Sequence, residues 1–423
     1  CEGENGEKFI VEMQNAYQTY FKDRASWGQL GNENALGKYD FLTRIASYND
    51  MYMGYVQGAG SNPWTGSIAR TLENLPLKWE TTDTKNIGFD FGLFGNHLNG
   101  NVNYYLNETR DLLITRRIAP SAGLDNPTLN VGKMRNQGFE LELNWNDKIS
   151  DFEYNVGFNI STIANKVVAL ANEDQTIYGV GLKYGTEHFP TQTKVGKPIG
   201  AFYLYQADGI FQSLEEVQAH KNSKGELLQP NAQPGDVRFK DMNGDGVIDE
   251  DDKTYSGTGI AKVEANLNLG ASYKGFDFSA VIGSAFGNKI YNGIRYYYEG
   301  MNSASNFLKT TLNAWTPTNT KTDVPRAIYG DPNQNTREST RFLENGDFVR
   351  LRQVQLGYTL PKALSKQIYC DRIRFYVSAE NVFTITGYSG ANPEFSQGVL
   401  NSGVDRFTYP FSRSYTVGAQ VSF

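Results

Sequence analysis

The chain has 423 residues, and its 40 basic and 46 acidic residues give a net charge of −6 with no basic stripe, which speaks against a nucleic-acid partner. Aromatic residues make up 13%, with 26 Tyr, 25 Phe and 43 Gly, a mixture that suits strands and turns. The mean hydropathy of −0.50 and the lack of any long apolar run exclude a helical membrane protein but not a β-barrel, in which only alternate residues face lipid.

In chain order, the first twenty residues show neither a strand pattern nor a capped helix, and the chain reads as part of a longer protein. "RASWGQLGN" then reads as the rising limb of a hairpin. In "LNGNVNYYLN" Leu98, Val102, Tyr104 and Leu106 share one face, and Asn99, Asn101, Asn103 and Asn107 share the other. "GFELELNWN" sets Phe139, Leu141, Leu143 and Trp145 opposite Glu140, Glu142, Asn144 and Asn146. "DFEYNVGFNIS", "KVEANLNLGASY" and "SYTVGAQVSF" alternate in the same way. In "FVRLRQVQLGYTL" the phase slips between Leu351 and Val354, which predicts a bulge.

Connections between these strands are alternately short and long. A tight turn follows Phe94, "NDKISD" joins Trp145 to Phe152, and Lys274-Gly275 is a two-residue hairpin. Long connections run from Thr109 to Gln137, from Ile163 to Lys262, from Gly283 to Phe348, and from the "RIRFYVSAE" strand to Arg413. Short turns at one end and long loops at the other are the plan of an outer-membrane barrel, whereas a sandwich has no reason to keep its long loops together. Placing Phe423 at the periplasmic end puts every long loop outside and gives about ten strands. The competing reading is a secreted, calcium-stabilised β-sheet adhesin or binding protein, which would bury its apolar strand faces against a second sheet.

The long segment 163–262 holds "DMNGDGVIDEDD", which matches the ligand spacing of an EF-hand loop. Asp241, Asn243, Asp245, the Val247 carbonyl, Asp249 and Asp252 take the ligand positions, Gly246 the sharp turn and Ile248 the apolar anchor. Asp252 stands where Glu is usual, and its shorter arm weakens bidentate binding. With no helical pattern on either side, the expectation is a structural Ca2+ clip on an outer loop, not a sensor.

His97, His188 and His220 have no metal-ligand spacing, and no nucleophile elbow, P-loop or dinucleotide fingerprint occurs, so no enzyme is expected. Glu140 and Glu142 are read as pore lining. Tyr291 and Tyr296, Tyr297 and Tyr298 offer stacking surface for a substrate, although an interfacial aromatic girdle is the favoured reading. Cys1 and Cys370 are too few for a disulfide framework.

Across nearly the whole chain the blocks "LKWETTDTKNIGFDFGLFGNHLNGNVNYYLNETRDLL", "NVGKMRNQGFELELNW", "GKPIGAFYLYQADGIFQ", "PGDVRFKDMNGDGVIDEDD", "FVRLRQVQLGYTLP" and "RFYVSAENVFTITGYSGANPEF" resemble the SusC/RagA-type TonB-dependent transporters of Bacteroidota. The resemblance implies an all-β, transmembrane antiparallel barrel of 22 strands in the outer membrane, of which residues 1–423 would supply the C-terminal part. It also implies a plug and TonB box outside this chain, a SusD-like surface lipoprotein as lid, the TonB complex as energy source, and oligosaccharides or oligopeptides as substrates.

Overall fold

The computed structural model describes residues 10–14, 18–32, 42–43, 45–48, 66–71, 73–115, 118–130, 132–170, 176–184, 186–301 and 306–423. Its backbone is one antiparallel wall. In chain order the wall strands are β1 (Ile10–Gln14), β2 (Gln18–Asn32), β3 (Glu80–Leu93), β4 (Leu98–Arg110), β5 (Gly132–Ile149), β6 (Phe152–Thr162) and β7 (Ala164–Leu170). They continue as β8 (Val263–Tyr273), β9 (Phe276–Phe286), β10 (Phe348–Thr359), β11 (Arg372–Thr386) and β12 (Ser414–Ser422). Each strand pairs with the next, except that β7 carries β6 onward along β5, in the same register from Ala164 to Val167 and shifted by one residue between Val167 and Ala169, while β6 itself pairs with β8. Among the described residues the edge strands β1 and β12 do not meet, so the wall is a partial barrel.

Register explains why the wall holds together without a second sheet. Phe89, Val102, Leu141, Ile160 and Ala265 are successive cross-strand partners and form an apolar row. One residue along, Asp90, Asn101, Glu142, Asn159 and Asn266 form a polar row on the opposite face. The apolar face is bare: Trp27 is 70% exposed, Ile87 67% and Phe139 59%. A sandwich would cover these side chains, and the wall instead presents them as a lipid-facing belt, which rules out the buried faces of the adhesin reading. The polar face is knitted by its own amides. Asn101 and Asn144 donate to Glu142 at 3.0 Å each, Asn103 donates to Asn101 at 2.9 Å, and Asn266 donates to Asn159 at 2.9 Å.

Turn chemistry fixes the register. Lys274 (φ 45°) and Gly275 (φ 89°) close the β8–β9 hairpin, with Tyr273 opposite Phe276. The slip expected in "FVRLRQVQLGYTL" is a bulge at Arg352, which both neighbouring strands skip. Two boundaries differ from the sequence reading. β5 begins at Gly132, because Lys133, Arg135 and Gln137 continue its outward face above the belt, where polar side chains leave no alternation to see. β7 continues the wall past Thr162, and at the join only glycine fits position 138, since a Cβ there would lie 1.8 Å from the Thr162 carbonyl oxygen.

Candidate functional site: a cap built from three long loops

Segments 176–262, 287–347 and 387–413 leave the same end of the wall and fold together. Leu182, Phe202 and Leu204 from the first, Tyr291, Tyr296 and Phe342 from the second, and Val404 from the third make one fully buried core. The backbone repeats the union: Lys289–Asn292 pairs antiparallel with Leu343–Asn345 and parallel with Val404–Asp405. Shared burial of this kind makes three loops a single cap. Removing any one would strip the others of their apolar partners.

Buried ionic groups join the same segments. Glu338 lies between Lys253 and His188, with Glu338 and Lys253 each only 3% exposed at the side chain. Burial alone would raise the Glu338 carboxyl, but the hydrogen bond from His188 and the charge of Lys253 more than offset it and hold the pKa at about 2. Arg326 grips the buried Asp236 carboxylate with two hydrogen bonds of 2.7 and 3.0 Å, and Asn335 adds a third at 2.9 Å. Glu299 accepts from Arg295 at 3.0 Å, Arg341 at 2.9 Å and Thr310 at 2.9 Å. The third loop is fastened to the wall itself: Arg350 on β10 donates to Glu394 at 2.7 Å and Asn392 at 2.8 Å, and Arg352 reaches Glu394 at 2.9 Å. The charges at Lys253, Glu338, Arg350 and Glu394 escape sequence reasoning, because their partners lie in other segments.

Tyr291 and Tyr296 are 0% exposed, so neither presents a ring to a substrate, and they lie in the cap and not in the wall strands. Both the stacking surface and the interfacial girdle expected of them are therefore wrong: their rings are packing. Tyr297 and Tyr298 are half-buried against Phe407, with ring centroids 5.5 and 5.6 Å apart. An open cleft lies beside this core between the second and third segments. Arg295, Lys309, Asp323, Glu344 and Ser389 line it, and none of its described lining residues is aromatic. Glu140 and Glu142 stand on the polar face of the wall, exposed.

The acidic loop folds as a set of side chain-to-backbone turns. Asp241 accepts from Gly244 N–H at 2.6 Å and Gly246 N–H at 2.9 Å, Asn243 from Asp245 N–H at 2.9 Å, and Asp245 from Val247 N–H at 2.9 Å. Gly244 (φ 78°) and Gly246 (φ 92°) supply the left-handed steps of this curl. Asp252 is fully buried and reaches back across the loop, accepting from Met242 at 2.6 Å, Asn243 at 3.3 Å and Asp249 at 2.8 Å. Asp249 accepts in turn from Asp251 N–H at 2.9 Å, and Ile248 anchors the loop on Tyr205, Val237 and Phe239. Among the described residues no three His, Cys, Asp or Glu side chains converge as a metal site. Asp252 spends both carboxylate oxygens on these backbone donors.

A wall with a bare apolar belt, an amide-lined opposite face and long loops gathered at one end has the architecture of an outer-membrane β-barrel. The chain belongs to the family described as TonB dependent receptor-like, beta-barrel, whose model matches residues 24–382. It is 30% identical over 96% of its length to TonB-dependent receptor P3 of Formosa agariphila, and 26% identical over 95% to TonB-dependent receptor SusC of Bacteroides thetaiotaomicron. Among solved structures it is similar to the RagAB peptide transporter, with a TM-score of 0.75 and 26% identity over 96% of this chain. The chain spans only 39%, 37% and 41% of these three proteins, so it corresponds to part of each.

Proposed function

We propose that this chain forms wall and outer cap of a SusC-like importer that takes up oligosaccharides or oligopeptides with a SusD-like lipoprotein as lid, driven through TonB. The single observation behind this reading is the cap. Consecutive hairpins give up three long loops to one shared core at one end of an amide-lined wall, which is the form a fixed docking rim needs. That end faces outward, and the work done is positioning and passage, with no covalent step. The cleft carries charges of both signs and no aromatic platform, which favours an oligopeptide with charged ends over a neutral glycan. The test is uptake by cells carrying the full-length protein, with labelled oligopeptides and oligosaccharides in parallel. Lys309→Glu with Asp323→Lys should change which peptides enter. If a knockout leaves the uptake of both classes unchanged, the importer reading is lost.

We also propose that Ca2+ binds at the acidic loop through Asp241, Asn243, Asp245, the Val247 carbonyl and Asp249. Each carboxylate keeps lone pairs beyond its backbone bonds, and the curl already holds Asp241, Asn243 and Asp245 in sequence around one turn. Asp252 acts as the clasp of the loop, so the site is weak and the loop keeps its shape without the ion. Calcium titration of the full-length protein, followed by protease sensitivity of the loop, should show protection that Asp241→Ala with Asp245→Ala abolishes. Equal protection in chelator rejects the site.

A further inference from the structure

The outward face of the wall holds a cationic cluster that neither cap nor lumen uses. Three successive rows on that face, each about 7 Å from the next, change character as they rise. Ala25, Ile87, Tyr104 and Phe139 form the top of the apolar belt. Above them run Trp27, Lys85, Leu106, Gln137 and Ala164, and above those Asp83, Glu108, Arg135 and Lys166. The exposed indole of Trp27 marks the level where an amphipathic ring sits between hydrocarbon and headgroups. Lys85 shares that level, and Arg135, Lys166 and Lys133 stand just beyond it.

The charges there do not balance. Glu108 is shared by Arg135, at 2.9 and 2.6 Å, and Lys133, at 3.3 Å, while Asp83 pairs with Arg110. Among the described residues neither Lys85 nor Lys166 has a carboxylate partner. Lys166 lies directly opposite Arg135 in the ladder, a like-charge pairing that is unfavourable unless an anion lies between them.

We propose that Lys85, Arg135 and Lys166 bind the phosphate headgroup of an anionic lipid whose acyl chains lie along Ile87, Tyr104 and Phe139. The proposal rests on the membrane-facing reading of this wall but not on what the protein imports. Phosphate suits the site because Lys85 and Lys166 flank Arg135 on either side of it in the wall, three cations against the one Glu108 carboxylate between them, and the apolar row beneath supplies the place for the chains.

The test uses the full-length protein in nanodiscs of phosphatidylcholine alone, or doped with phosphatidylglycerol or monophosphoryl lipid A. A separate arm offers inorganic phosphate to the protein in detergent. Wild type should retain the phosphorylated lipid through delipidation, read by native mass spectrometry. At about 1 kcal/mol per lysine near an anionic surface, Lys85→Gln with Lys166→Gln should bind it roughly 30-fold more weakly. The charge-keeping pair Lys85→Arg with Lys166→Arg should retain it. Unchanged retention in the Gln variant overturns the proposal, as does loss in the Arg variant, or protection by inorganic phosphate equal to that by lipid. Lipid retention as expected, with no peptide or glycan uptake attributable to the full-length protein, counts against the importer reading alone.

Discussion

Glu338 provides the sharpest test of whether the three loops are one cap. Its side chain is almost entirely buried between Lys253 and His188, and it sits in the second segment while both partners belong to the first. Glu338→Gln keeps the shape and removes the charge, leaving Lys253 buried with only Glu250, at 2.6 Å, as counter-ion. Breaking a buried pair by removing one partner costs about 3–5 kcal/mol. Glu250 is 70% exposed and retains part of the compensation, so we expect about 2–3 kcal/mol. That corresponds to a rise of roughly 30- to 150-fold in the population of opened cap. Hydrogen exchange of the full-length protein reads it directly: amides of Ala201–Leu204 and Thr340–Phe342 should exchange faster by that factor, while those of β9 stay unchanged. The acid limb gives a second readout. A carboxyl whose folded pKa lies below its ordinary value stabilises the fold above about pH 4.5, and that stability is lost as pH falls toward 2. Wild type should show this loss and Glu338→Gln should not. Unchanged exchange in the variant, or a wall that opens together with the cap, would refute the reasoning.

Three further outcomes follow from the same geometry. His220 is half-buried with Nε2 2.9 Å from the Phe239 carbonyl, and this partial burial lowers its pKa against the pull of that bond. Its contribution is therefore present above about pH 6.5 and fades below it, so Leu214–Ala219 should show lower protection factors, corrected for the intrinsic exchange rate, at pH 5.5 than at 7.5, a difference that His220→Gln removes. Arg350→Met leaves Glu394 with Arg352 alone and takes away the donor to Asn392. Protease nicking near Asn392 should rise with a loss of about 2–3 kcal/mol in local protection, and an unchanged digest would deny the strap. On the wall, Leu141→Arg places a cation in the belt at a cost of about 2–4 kcal/mol and should lower the denaturant midpoint in lipid. Glu140→Arg, one residue along on the polar face, should stay close to wild type.

The barrel itself was legible because lipid on one side and amides on the other impose a period of two residue after residue. "GFELELNW" and "DFEYNVGFNIS" carry that signal in their letters, and the phase slip at Arg352 survived as a real bulge. The signal failed where its cause ended. Lys133, Arg135 and Lys166 extend the strands above the belt, where neither face needs to be apolar, so β5 seemed to start late and β7 passed for loop. The acidic loop was visible through its spacing, as was the anchoring by Ile248. That Asp252 turns inward as a clasp depends on which backbone N–H groups lie nearby, and no spacing reveals that. The tyrosines of "YNGIRYYYEG" show the limit most clearly. Aromatic letters fit a girdle, a sugar platform and a core equally well, and the choice fell to Leu182, Phe202, Phe342 and Val404, which reach Tyr291 and Tyr296 from distant stretches of chain. Local periodicity therefore determined the wall, because each strand meets its two solvents alone. The cap was decided only by tertiary structure, because its core exists nowhere in the sequence until three loops close on one another.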